Sequence, residues 1–189
     1  MKEEAQSAFD VRGYDHLKYV RQSGYAIDFG NSRVYIICRL NDGFVPKAGD
    51  LSSASMDEKT RWASHLCEAV CGLHINNVFH QDISNGPSRY DSNVMIDNHR
   101  ITLRVIDLGD SVRPSIDAEA TIALQNDMQG MCNFLEKFGK DWISTSPVYA
   151  LLKREIGTIT RSPPSKEDRT IQHWCAHTFW VQRYCLHKF

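Results

Sequence analysis

The chain has 189 residues with 22 Lys and Arg against 23 Asp and Glu, a formal net charge of -1, so it carries no broad basic field for nucleic acid or an anionic membrane surface. Hydrophobic residues at 42% and charged residues at 24% are globular values, and no apolar run approaches the length of a bilayer span. The polar, acidic start MKEEAQSAFD is unlike a targeting peptide, so the expected location is intracellular and cytoplasmic, with one domain-sized core.

In chain order, residues 3-22 carry Ala5, Ala8, Phe9, Leu17 and Val20 around Gly13 and predict one helix or two short ones. YAIDFGNSRVYIICRL is rich in Val, Ile and Tyr and is split by Gly30, Asn31 and Ser32, which predicts two strands joined by a tight turn. Gly43, Pro46 and Gly49 make NDGFVPKAGDLSSAS read as a loop. Ser55 then caps a long helix, with Asp57 and Glu58 in its first turn and Trp62, Leu66, Ala69, Val70 and Leu73 at helical spacing up to Asn76-Asn77.

Val78 and Phe79 lead into HQDISNGPSRYDSNVMIDNHRITLRVIDLGD, where the turn-rich Asp97 to Arg100 link joins the short strands NVMI and ITLRVI. A Pro-containing loop of mixed periodicity follows Asp110. The stretch NDMQGMCNFLEKFG predicts a helix with Met128, Met131, Cys132, Leu135 and Phe138 on its buried face, Asp127 near its start and Gly139 at its end. PVYALLKREIG predicts a shorter helix, and TRSPPSKEDR a polar hinge.

Six cysteines, Cys38, Cys67, Cys71, Cys132, Cys175 and Cys185, stand without any CxxC, and most of them read as buried thiols. His173, Cys175, His177, Cys185 and His187 offer zinc-type ligands near the end of the chain. The apolar spacing of Ile171, Trp174, Cys175, Thr178, Val181, Tyr184 and Cys185 favours a packed amphipathic helix there instead.

A long amphipathic helix, an apolar pair, His80-Gln81-Asp82, Asn93, a hairpin and Asp107-Leu108-Gly109, in that order, resemble the C-terminal lobe of the eukaryotic protein kinase-like superfamily. The resemblance spans about residues 25-138. It implies an α+β protein kinase-like fold with a mainly helical C-lobe and short hairpins over 43-189, and a partial, truncated N-lobe and hinge over 1-42. It implies Asp82 as the catalytic base, Asn93 and Asp107 as magnesium ligands, and ATP and Mg2+ as cofactors. The backbone near Arg39, Leu40 and Asn41 would meet the adenine, and Asp127 would brace the catalytic loop through backbone hydrogen bonds. A protein substrate or partner protein is implied, with transfer of Ser/Thr type.

Three departures qualify that implication. Ten residues separate Asp82 from Asn93 where the family pattern has four, and Asn85 becomes a rival for the role of Asn93. No G-x-G-x-x-G precedes the hinge, and Lys2 and Lys18, the only lysines before it, stand in helical sequence, so the chain reads as starting inside a small lobe. Gln81 replaces the usual arginine, and the segment after Asp107-Leu108-Gly109 is short, without an A-P-E triplet. The expectations are therefore an ATP- and magnesium-dependent phosphotransferase or, alternatively, an inactive pseudokinase or truncated binding module with weak or absent nucleotide binding. A zinc-bearing interaction domain is a third, weaker idea.

Overall fold

A computed structural model of the chain describes residues 23-28, 33-38, 43-85 and 92-161. The predicted N-terminal helix, the Gly30-Asn31-Ser32 turn, the hinge residues Arg39, Leu40 and Asn41, and the aromatic C-terminal stretch lie outside the described residues. Among those described, the chain is of mixed helix and strand content, with five helices, a three-stranded antiparallel sheet and a separate two-stranded ribbon. The ribbon pairs β1 (Ser23–Asp28) with β2 (Arg33–Cys38), Asp28 opposite Arg33.

The sheet is built from β3 (Gly43–Phe44), β4 (Val94–Asp97) and β5 (Leu103–Val105) in that spatial order. Val94 faces Val105 and Ile96 faces Leu103, and all four side chains are fully buried, so one face of the pleat is core. Gly43 is required by the pairing, because a Cβ there would stand 2.6 Å from the carbonyl oxygen of Ile96. The link from β4 to β5 closes on Asp97, whose carboxylate accepts the N–H groups of Ile101 and Thr102 at 2.9 and 2.7 Å.

The loop predicted over 41-55 instead holds β3 and a one-turn helix, α1 (Ala48–Ser52). The Lys47 N–H donates to Asp50 at 2.9 Å, and Leu51 buries itself completely, which offsets the turn-forming tendency of Pro46 and Gly49. Helix α2 (Met56–Ile75) starts at Ser55 through a reciprocal cap: the Glu58 N–H donates to Ser55 Oγ at 3.2 Å and the Ser55 N–H to Glu58 Oε2 at 2.8 Å. Its predicted stripe, Trp62, Leu66, Ala69, Val70 and Leu73, is buried throughout. Two side-chain bonds dock α2 on the hairpin, Trp62 Nε1–H to the Arg100 carbonyl at 3.2 Å and the Leu103 N–H to His65 Nδ1 at 3.2 Å.

Helix α3 runs from Asp117 to Glu136, beginning nine residues before Asn126, where the sequence predicts it, and Asp127 therefore lies in its middle. Ala118, Ala120, Ala123 and Leu124 are strong helix formers, while exposed Ile122 and β-branched Thr121 blur the periodicity on which the later start rests. Ala120, Ala123, Leu124 and Met128 form a second apolar cluster with Phe79, and Met131, Phe134, Leu135 and Phe138 belong to the main core. An unpredicted helix, α4 (Lys140–Thr145), is anchored by buried Trp142, edge-on to Phe138 at 4.9 Å. Helix α5 (Pro147–Arg161) continues through Gly157, past the end of the stretch PVYALLKREIG that predicts it.

Among the described cysteines, Cys71 and Cys132 are buried, and burial pushes their thiols up to about 12 and about 11, so both are inert at neutral pH. Among the described residues no helix is long and apolar enough to cross a membrane.

Candidate active site

The end of α2 and the start of the following loop bend sharply, with Asn77 at φ 55° and Gln81 at φ 70°. A side chain other than glycine in this left-handed region costs energy, so the surroundings must hold the bend in place. They do so from α3. The completely buried carboxylate of Asp127 accepts the backbone N–H of His80 at 2.8 Å on Oδ2 and that of Gln81 at 2.6 Å on Oδ1. His74, in the last turn of α2, adds a third bond, Nε2 to Asp127 Oδ2 at 2.7 Å, with its ring stacked on Phe79. A buried carboxylate is tolerable only with such a set of donors.

His80 is a packed histidine. Its Nε2 lies 2.9 Å from the Ile106 carbonyl, which can only accept, so the ring carries its proton there and presents Nδ1 to the Asp82 N–H at 3.3 Å. The loop is thereby tied to the strand end that leads directly into Asp107. Phe79 and Val112 exchange two backbone bonds of 3.0 and 2.8 Å and close the same region from the far side. Helix α3 comes close because it carries Gly130, where a Cβ would stand 3.1 Å from the Cβ of Ile83.

Asn93 sits where the chain returns, its N–H bonded to the Ile83 carbonyl at 3.0 Å and its carbonyl accepting from the Ile106 N–H at 2.9 Å. Its side-chain amide donates to the Asp82 carbonyl at 2.6 Å and to Asp82 Oδ2 at 3.0 Å. The geometry thus brings Asp82 and Asn93 into direct contact. Asp107 follows one residue after Ile106, whose N–H bonds to Asn93 and whose carbonyl bonds to His80. It is exposed, held at φ 60°, with one carboxylate oxygen accepting the Gly109 N–H at 3.1 Å. Asn85, the rival of Asn93, spends its amide on Asp82 Oδ1.

The donor chemistry suits magnesium. Both amide hydrogens of Asn93 are committed to Asp82, which leaves its carbonyl-type oxygen, like the carboxylate of Asp107, as a hard ligand. Among the described residues no three or more His, Cys, Asp or Glu side chains gather as a metal cage. A cation on Asn93 and Asp107 would therefore draw its remaining oxygens from phosphate and water, the usual habit of magnesium. The adenine-contacting residues Arg39, Leu40 and Asn41 and the His/Cys group at 173-187 lie outside the described residues.

Sequence reasoning from the residues alone misses His74, Gln81 and Asn126 as partners of this loop. One signal was available: Asp127 falls between Leu124 and Met131 on a buried apolar stripe, and a charge there must be matched by donors from elsewhere in the fold. No family model matches the chain, and no curated protein is similar to it.

Proposed function

We propose that the chain is a phosphotransferase module of protein kinase type, with residues 43-189 as the C-terminal lobe and 1-42 as part of the small lobe and hinge. Its reaction is transfer of the γ-phosphoryl group of ATP, with magnesium, to a Ser or Thr of a protein substrate. The observation that carries this reading is the Asn93 amide bound to both the carbonyl and the carboxylate of Asp82, at the neck of a hairpin whose returning strand leads into Asp107 at the same end. Phosphoryl transfer asks a protein chiefly for positioning and for opposite charge, and a loop so over-determined by bonds supplies positioning.

In this reading Asp82 aims the acceptor hydroxyl and takes up its proton, while Asn93 fixes the carboxylate in that orientation. Asn93 Oδ1 and the Asp107 carboxylate would hold magnesium, which supplies charge to offset that of the phosphates when bound. His80 and Asp127 keep the loop and the strand end in register. The test is transfer of labelled γ-phosphate from Mg·ATP to a basic protein acceptor such as histone. Transfer that falls at least about a hundred-fold in Asp82→Ala supports the reading; equal transfer by both proteins, or none by either, defeats it.

One observation favours a second reading, a kinase-like module that binds a partner protein without catalysis. Strands β1 and β2 contain no lysine, and no G-x-G-x-x-G occurs in the sequence, so within these residues ATP phosphates find no clamp of the usual kind. Absence of both Mg·ATP binding and transfer to any acceptor, from a chain that folds, would select this reading.

A further inference from the structure

Gln81 is held on α3 by both ends of its side chain. Its Nε2–H donates to the Ala123 carbonyl at 2.9 Å and approaches Asp127 Oδ1 at 3.3 Å, while its Oε1 accepts from Asn126 Nδ2 at 2.9 Å. Its own N–H adds the 2.6 Å bond to Asp127, and its backbone is the strained one, at φ 70°. Every polar group that Gln81 can use toward α3 is used. A flexible amide half-exposed beside a loop has no need of three partners more than forty residues away merely to pack. Strain persists at a functional site when its surroundings over-determine it, and the next residue along is Asp82.

We propose that Gln81 is a positioning residue: its amide, clasped between Ala123 and Asn126, is the strut that locks the left-handed bend and so aims Asp82 at Asn93. The proposal rests on the phosphotransfer reading for its catalytic consequence, but the strut itself has a readout independent of catalysis. The charged and titratable groups around Gln81 are Asp127 on α3, His74 on α2 behind it, and His80 and Asp82 on its own loop.

The decisive variant is Gln81→Glu, which keeps the size and shape of the side chain. Ionised, the introduced carboxylate meets the Ala123 carbonyl and the Asp127 carboxylate with no hydrogen to donate, and the strut opens. Protonated, it has one O–H for Ala123 and one oxygen for Asn126, and the strut closes again. A carboxylate beside Asp127 favours the neutral form, so lowering the pH closes the strut and raising it opens it.

The reporter is the Asn93 side-chain amide, followed by 15N NMR in the full chain, with wild type measured alongside to remove any contribution from His74 and His80. The expected result is an Asn93 signal displaced toward that of a free amide at the higher pH and restored at the lower. Transfer from Mg·ATP should fall on the order of ten- to a hundred-fold at the higher pH. An Asn93 signal that matches wild type at both pH values, or is displaced equally at both, overturns the strut. Asn126→Ala, an exposed change that removes a single bond, should displace the signal less, in the same direction and at every pH; no displacement there also overturns it. Absence of transfer by wild type defeats the phosphotransfer reading alone, so the two failures are told apart.

Discussion

Gln81 and Arg100 share a backbone conformation and almost nothing else. Both are non-glycine residues in the left-handed region, at φ 70° and 59°. The Gln81 bend is enclosed by α3 and held by the wholly buried Asp127. The Arg100 bend closes the hairpin at the surface. There the guanidinium lies 5.2 Å over the Trp62 ring, Nε bonds Glu58 at 2.6 Å, and both charged side chains remain in contact with solvent. In the first place, removing a partner strands buried N–H groups; in the second, water takes the partner's place. The lesson is that similar strain marks a precise site in one region and a surface brace in the other, and burial of the partners tells them apart.

Substitutions that probe the two bends should therefore differ sharply in cost. Asp127→Ala leaves the N–H groups of His80 and Gln81 without their acceptor and should lower stability by about 3–5 kcal/mol in urea unfolding. A loss near that of a surface substitution would erase the contrast. Ser55→Ala removes the helix cap beside the Arg100 brace and should cost about 1 kcal/mol. Arg100→Ala should cost about 1 kcal/mol or less, because the ion pair with Glu58 is screened by solvent and most of the loss is contact with Trp62.

The smallest effect sharpens the comparison through pH. The Arg100 side chain, with the Ser55 N–H, holds the Glu58 carboxyl down to about 2, below its ordinary 4.5. A depressed carboxyl contributes stability above its unfolded value, so this contribution is intact at neutral pH and fades as pH falls from 4.5 toward 2. Arg100→Ala should flatten that part of the stability profile, measured by unfolding across the acid range. An unaltered slope would mean that Glu58 gains nothing from the guanidinium.

Legibility in the sequence follows how local the cause is. Helix α2 can be read because its cap, Ser55 with Glu58, and its stripe from Trp62 to Leu73 both lie within the segment itself. The hairpin from Val94 to Val105 can be read from alternation and from turn formers at Asp97-Asn98. Helices α1 and α4 escape, because each is about one turn long and depends on a single anchor, Leu51 or Trp142, finding a core made by residues elsewhere. The first half of α3 escapes for a related reason: its inward face is mostly alanine, whose burial against Phe79 no periodicity announces.

The site divides in the same way. Asp82, Asn93, Asp107 and Asp127 stand out through the order of motifs that carries the resemblance, although the Asp82 to Asn93 spacing departs from it. The contacts of Gln81 with Ala123 and Asn126, and of His74 with Asp127, span more than forty residues and arise only when α3 is laid against the loop.

Titration calorimetry of the full chain with Mg·ATP, compared with Asp107→Ala, tests the central claim most directly. The account predicts saturable, magnesium-dependent binding by the wild type that is lost in the variant. Heat of binding that is absent from the wild type, or equal in the two proteins, would contradict it.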